Sequence, residues 1–192
     1  MENIDVKQSI KTIEQAIQEA RKVPNGAYYY DILWGVILTL YYFLNYISLS
    51  YPGSFISSFN NYYWIVFPIG GILSGIRSKH DDARETAKSF ADKIYLYSYS
   101  GFAFAYITIY LAAEFNGLNN IVVPIFCSLL GLTVFVTGGI VGETVSIIAG
   151  IIGMLIGGFI LKLDVSNQCM YASIVCIVAC IIPGIKMMLS RV

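Results

Sequence analysis

In the stretch YYYDILWGVILTLYYFLNY, Asp31 follows three tyrosines at the mouth of a long apolar run. An ionisable group inside a membrane is functional by default, whereas one at the rim usually is not, so the depth of Asp31 decides its role. Further along, Tyr95, Tyr99, Tyr106 and Tyr110 share one helical face, with Ser98 and Ser100 nearby. Their hydroxyls are placed either to line a polar path or to hydrogen-bond between helices. In FPIGGILSG, Pro68 removes a backbone donor and Gly70 and Gly71 loosen the helix, a combination found in discontinuous transporter helices. Pro124 enters a later apolar run in a similar way.

The most charged stretch is RSKHDDARETAKSFADKIY. Asp81, Asp82, Arg84 and Asp92 are of the kind with which membrane transferases hold a metal and a diphosphate, where several carboxylates must converge on Mg²⁺. The spacing between Asp82 and Asp92 fits poorly, and no second acid motif supplies the other half of the clamp. A solvated helix capped by Ser78 or Asp81, with Ala83, Ala87, Phe90 and Ile94 as its apolar stripe, is the better reading. His80 is the single histidine, so a His-based metal site is excluded, and no triad or HExxH pattern supports hydrolysis. No catalytic residue, cofactor or metal is expected. Cys169, Cys176 and Cys180 share a face, with Cys127 in an earlier run; a thiol stripe could bind a soft metal, but without a CxxC pair small-residue packing is favoured.

These groups need helices to position them. With 57% hydrophobic and 12% charged residues, against about 25% charged in a soluble domain, the chain reads as one membrane domain. Its zero formal net charge gives no reason to expect nucleic acid as a partner. Residues 1–26 carry scattered charge without a signal-peptide core. Val6, Ile10, Ile13, Ile17 and Ala20 fall on one face there, which predicts a short cytoplasmic amphipathic helix ended by Pro24, Asn25 and Gly26. Six apolar runs follow, at 28–47, 57–76, 94–113, 121–138, 143–161 and 169–185, near the roughly 20 residues that cross a bilayer. The expected fold is therefore an all-α polytopic bundle of six spans in residues 27–192, with a charged cytoplasmic helix at about 77–93.

Six crossings put every basic residue except Lys162 on one side, which makes that side and both termini cytoplasmic. Tyr28, Tyr29 and Tyr30 then lie at the inner headgroups, and Tyr46, Tyr51, Tyr62, Tyr63 and Trp64 at the outer ones. Asp31 falls in the first turn of the first span, where free N–H groups and the helix dipole favour a carboxylate. It is expected to be an interface acid; the alternative is a partly buried acid that binds a cation or pairs with a basic residue of the second cytoplasmic segment. In the fifth run Ala149, Gly153 and Gly157, and Gly142, Ser146 and Gly150, repeat at the small-xxx-small interval that lets helix backbones meet.

The tyrosine run with Leu33-Trp34-Gly35, followed by Pro68-Ile69-Gly70-Gly71 before the charged loop and FVTGG later, resembles a group of small uncharacterised bacterial integral membrane proteins. The resemblance covers about the first half of the chain and implies a bacterial inner-membrane location; it carries over no functional residue. Three function classes remain, in this order. The first is a non-enzymatic accessory or sensory protein acting through a cytoplasmic protein partner or a second copy. The second is a small permease or permease subunit for a neutral or amphipathic substrate, since no charged group lies at the bilayer midplane. The third is a membrane enzyme.

Overall fold

Gly26 leads into the first helix with a left-handed backbone, φ 80°, which glycine adopts without strain. In this computed structural model the described residues are 10–12, 14, 26–58, 65–82 and 90–190. Helix α1 is Ala27–Ser50, α2 is Val66–Asp82 and α3 is Phe90–Asn116. A 3-10 turn at Asn119–Ile121 opens α4, Val122–Val141; α5 is Thr144–Phe159, closed by a second 3-10 turn, Ile160–Lys162. Helix α6, Val165–Cys176, a π-helical segment, Ile177–Ile181, and α7, Ile182–Leu189, run on as one rod.

Among the described residues four helical stretches are long and apolar enough to cross a membrane: Ala27–Ser50, Asn119–Val141, Thr144–Lys162 and Val165–Leu189. The all-α membrane-type bundle read from composition is present in that form. The other two expected spans correspond to α2, 17 residues long, and to α3, whose 27 residues include Tyr95, Tyr97, Tyr99, Tyr106 and Tyr110 and are correspondingly less apolar. Span two was expected to begin at Ser57, but Ser54 and Ser57 bind the backbone of a turn: Gly53 N donates to Ser57 Oγ at 3.1 Å and Ser57 N to Ser54 Oγ at 3.2 Å. Serine hydroxyls compete with helix in this way.

The charged segment also differs from expectation. Ser78 does not cap a new helix; α2 runs on through it to Asp82, because no breaker intervenes and Arg77 and Lys79 are good helix formers. Ala83, Arg84 and Ala87 lie outside the described residues, and Phe90 opens α3. Of the expected N-terminal helix, Ile10, Lys11, Thr12 and Glu14 are helical and exposed; Val6, Ile13, Ile17, Ala20, Pro24 and Asn25 lie outside the described residues.

Helices α4 and α5 form the closest pair. A Cβ built on Gly150 would fall 2.5 Å from Phe135 N, and one on Gly131 would fall 2.6 Å from Met154 N. The backbones touch there, as small residues permit. Ser146, Ala149, Gly150, Gly153 and Gly157 are all buried, whereas Gly142 lies at the exposed end of α4 with φ 79°. Helix α1 packs along the α6–α7 rod, α3 lies on α4, and α2 leans on α1. Phe126, Leu130, Val175 and the four cysteines fill the centre.

The two ends of the bundle are fastened differently. At one end the side chain of Gln168, wholly buried, donates through Nε2 to the carbonyls of Asn120 at 3.0 Å and Leu163 at 2.9 Å. Nearby, the Ser50 and Ser166 hydroxyls are 2.6 Å apart. At the other end lie Asp31, Gly184 and the turn between α4 and α5.

Candidate functional site

Asp31 is the fifth residue of α1, one position past the first turn. It lies on the buried stripe Ala27, Asp31, Gly35, Leu38 and Tyr42, a set of i, i+3 and i+4 neighbours. This places it inside the bundle, with 6% of its surface exposed. Tyr99 Oη, from α3, donates to Asp31 Oδ1 at 2.8 Å. The third wall is the rod, which comes close because both surfaces carry glycine. A Cβ on Gly35 would lie 2.9 Å from Cys180 Cβ, and one on Gly184 would lie 2.7 Å from Ile32 Cγ1 and 3.3 Å from Asp31 Cβ.

The rod is irregular at this level. Ile182 N–H donates to the Ile177 carbonyl, the five-residue interval of a π-helix, and Pro183 has no N–H to offer. Single π turns inside α-helices recur at functional sites. Tyr95 stacks on Tyr99 with ring centroids 5.8 Å apart, and its hydroxyl lies 3.9 Å from Met187 Sδ. Just outside, Lys186 of α7 forms an ion pair with Glu143, whose carboxylate also caps α5 by accepting from Ser146 N at 2.7 Å. Partial burial pulls the Glu143 carboxyl up, but the hydrogen bonds from Lys186 and Ser146 outweigh it and hold it below the usual glutamate range.

Tyr95, Tyr99, Tyr106 and Tyr110, four of the five tyrosines of α3, do share a face, and each that meets another helix meets a named group. Tyr99 binds Asp31, Tyr95 reaches Met187, and the Tyr106 hydroxyl is 3.4 Å from that of Tyr42. Tyr106 and Tyr42 both pack on Phe126. Tyr110 is more exposed and stands 6.5 Å from the Tyr106 ring.

Pro68, Gly70 and Gly71 fall elsewhere. Pro68 is exposed in the first turn of α2, where a missing N–H leaves no bond unmade. Gly70 sits against Trp34 and Ile37 of α1, and Gly71 faces open space. Helix α2 passes both glycines without interruption, and Trp34 Nε1 donates to Ser74 Oγ at 3.1 Å further along the same contact.

The cysteines are free and buried, packed with Ala172, Val175 and Ala179. Among the described residues no three or more His, Cys, Asp or Glu side chains are grouped to hold a metal ion. Sequence reasoning missed the π segment and the part of Pro183 and Gly184 in it, although Ile182-Pro183-Gly184 stands in the last span as a visible break.

Tyr99→Phe removes the donor to a buried carboxyl and should lower stability by about 1–3 kcal/mol. With Asp31→Leu in the same chain much of that loss should return, because both partners are then apolar. Thermal unfolding of the single and double variants in detergent measures the difference; strictly additive losses would show the two groups to be uncoupled.

No family model, curated protein or solved structure matches this chain.

Proposed function

We propose that this is a six-span protein of the bacterial inner membrane, with both termini cytoplasmic, that acts as a non-enzymatic accessory or sensory protein through a partner. The reading is carried by the way the interior polar groups close on one another. Asp31 with Tyr99, Tyr42 with Tyr106 and Trp34 with Ser74 each join two helices, which favours fastening over an open polar route. The threading is supported by charge: Arg77, Lys79 and Lys93 flank the α2–α3 connection and Lys186 lies at the Asp31 end, while Lys162 lies between α5 and α6. Helix α3 is about 40 Å long at roughly 1.5 Å per residue, ample for a crossing.

The alternative is a small permease or permease subunit for a neutral or amphipathic substrate. It is favoured by one observation, the π segment and Pro183 placed beside the buried carboxyl. Two experiments separate these readings. Reporter fusions at the amino end and near Arg84 are expected to report a cytoplasmic position; export of either would overturn the threading. Cysteines introduced at Tyr95, Tyr99, Tyr106 and Tyr110, in a chain whose native cysteines are replaced by alanine, are expected to resist polar thiol reagents. Labelling along the whole row would replace the accessory reading with the permease.

A further inference from the structure

We propose that Ile182–Leu189 is a gate over the Asp31–Tyr99 pair, hinged at the π segment and latched by Lys186 on Glu143. Three observations at three places support it, and none depends on the threading or on a partner.

The first is the hinge. The Val178 carbonyl would ordinarily accept from Ile182 four residues on, or in a π turn from Pro183 five residues on. The Ile182 N–H goes to Ile177 instead, and proline has no N–H. The backbone at Ile177–Ile181 is therefore already released from the regular ladder, and bending there sacrifices fewer hydrogen bonds than elsewhere in the rod.

The second is the seat. Gly184 closes on α1 with no side chain, against Ile32, the Tyr28 carbonyl and Asp31. Met187, one turn further, is buried beside the Tyr95 hydroxyl. Gly184 has no side chain to withdraw, so the buried side chains of α7 that must leave the bundle when the gate lifts are those of Pro183 and Met187. Lifting it uncovers Asp31 and, one turn deeper, the buried thiol of Cys180, which faces Gly35.

The third is the latch. Lys186 ties the last turn of α7 to the first turn of α5 through Glu143. Its side chain is half exposed, so the pair is worth little to overall stability. Its position in the last turn of the hinged segment, beyond the seat at Gly184, gives it leverage over the opening equilibrium.

The native cysteines provide the test, since Cys180 lies within the hinge and Cys176 just beyond it. The full-length protein in lipid nanodiscs is exposed to a polar maleimide, and mass spectrometry follows modification at each thiol separately. Lys186→Gln is expected to raise the Cys180 rate about 2- to 5-fold, the loss of one partly exposed ion pair, with the Cys176 rate unchanged. Lys186→Arg keeps the pair and the parental rate. Pro183→Ala, which returns a donor to the hinge, lowers the rate at Cys180. An unchanged Cys180 rate in Lys186→Gln, a parallel rise at Cys176, an arginine variant behaving like glutamine, or a Pro183→Ala rate that does not fall would each overturn the gate.

Discussion

Gly150→Leu should abolish the folded bundle, or lower its stability by at least about 3 kcal/mol, the upper end of what overpacking ordinarily costs. The atoms in the way belong to the main chain: Phe135 N at 2.5 Å, Gly131 O at 2.6 Å and Phe135 Cα at 2.7 Å from the position of a Cβ. A rotamer change cannot clear them, so α4 and α5 must separate, and the cluster around Leu130 and Val175 separates with them. Gly158→Leu is the matched control. It lies on the same helix, with nothing within 4 Å of its Cβ position, and a change there should stay within about 0.5 kcal/mol. Thermal unfolding in detergent, followed by size-exclusion chromatography, measures both. Equal midpoints for the two variants would mean that α4 and α5 are not in backbone contact.

Gln168→Glu should cost about 2–6 kcal/mol, from two buried carbonyls that each lose a donor at roughly 1–3 kcal/mol. The substitution keeps the size of the side chain and removes both N–H groups that join Asn120 and Leu163. Because Asn120 lies in the 3-10 turn preceding α4 and Leu163 caps the 3-10 turn following α5, the damage should be local before it is global. Hydrogen exchange should rise at Asn119–Ile121 and Ile160–Lys162, while the glycine contact between α4 and α5 keeps its protection. Uniformly faster exchange across both helices would show that Gln168 supports the core rather than the loops.

The apolar runs revealed where helices lie, because length and composition are one-dimensional properties that the bilayer constrains directly. Ser146, Ala149, Gly150, Gly153 and Gly157 also revealed which face of α5 is internal, since only small residues allow backbones to touch. The facing of Asp31 was harder to read. In α1 the lipid-facing Val36, Leu40 and Phe43 are as apolar as the interior Leu38, so hydrophobic periodicity, which marks the interior in water, says little there. The pattern that does distinguish the stripe is small and polar: Ala27, Asp31 and Gly35 at every fourth position. Tyr99 as its partner was not legible, because 68 residues separate the two and one tyrosine of the α3 face cannot be told from the next by spacing. Ser78 misled for a different reason. Its type suits a helix start, but a helix already running through good helix formers has no cause to stop.

The π segment also fixes which residue confronts the carboxyl. Were Ile177–Ile181 wound as ordinary α-helix, every residue below it would advance by one place, a turn of about 100° and a rise of about 1.5 Å. Pro183 would then take the position that Gly184 holds against Asp31 and Ile32. The π segment thus selects the register in which these eight residues present glycine, the residue without a side chain, to the wall.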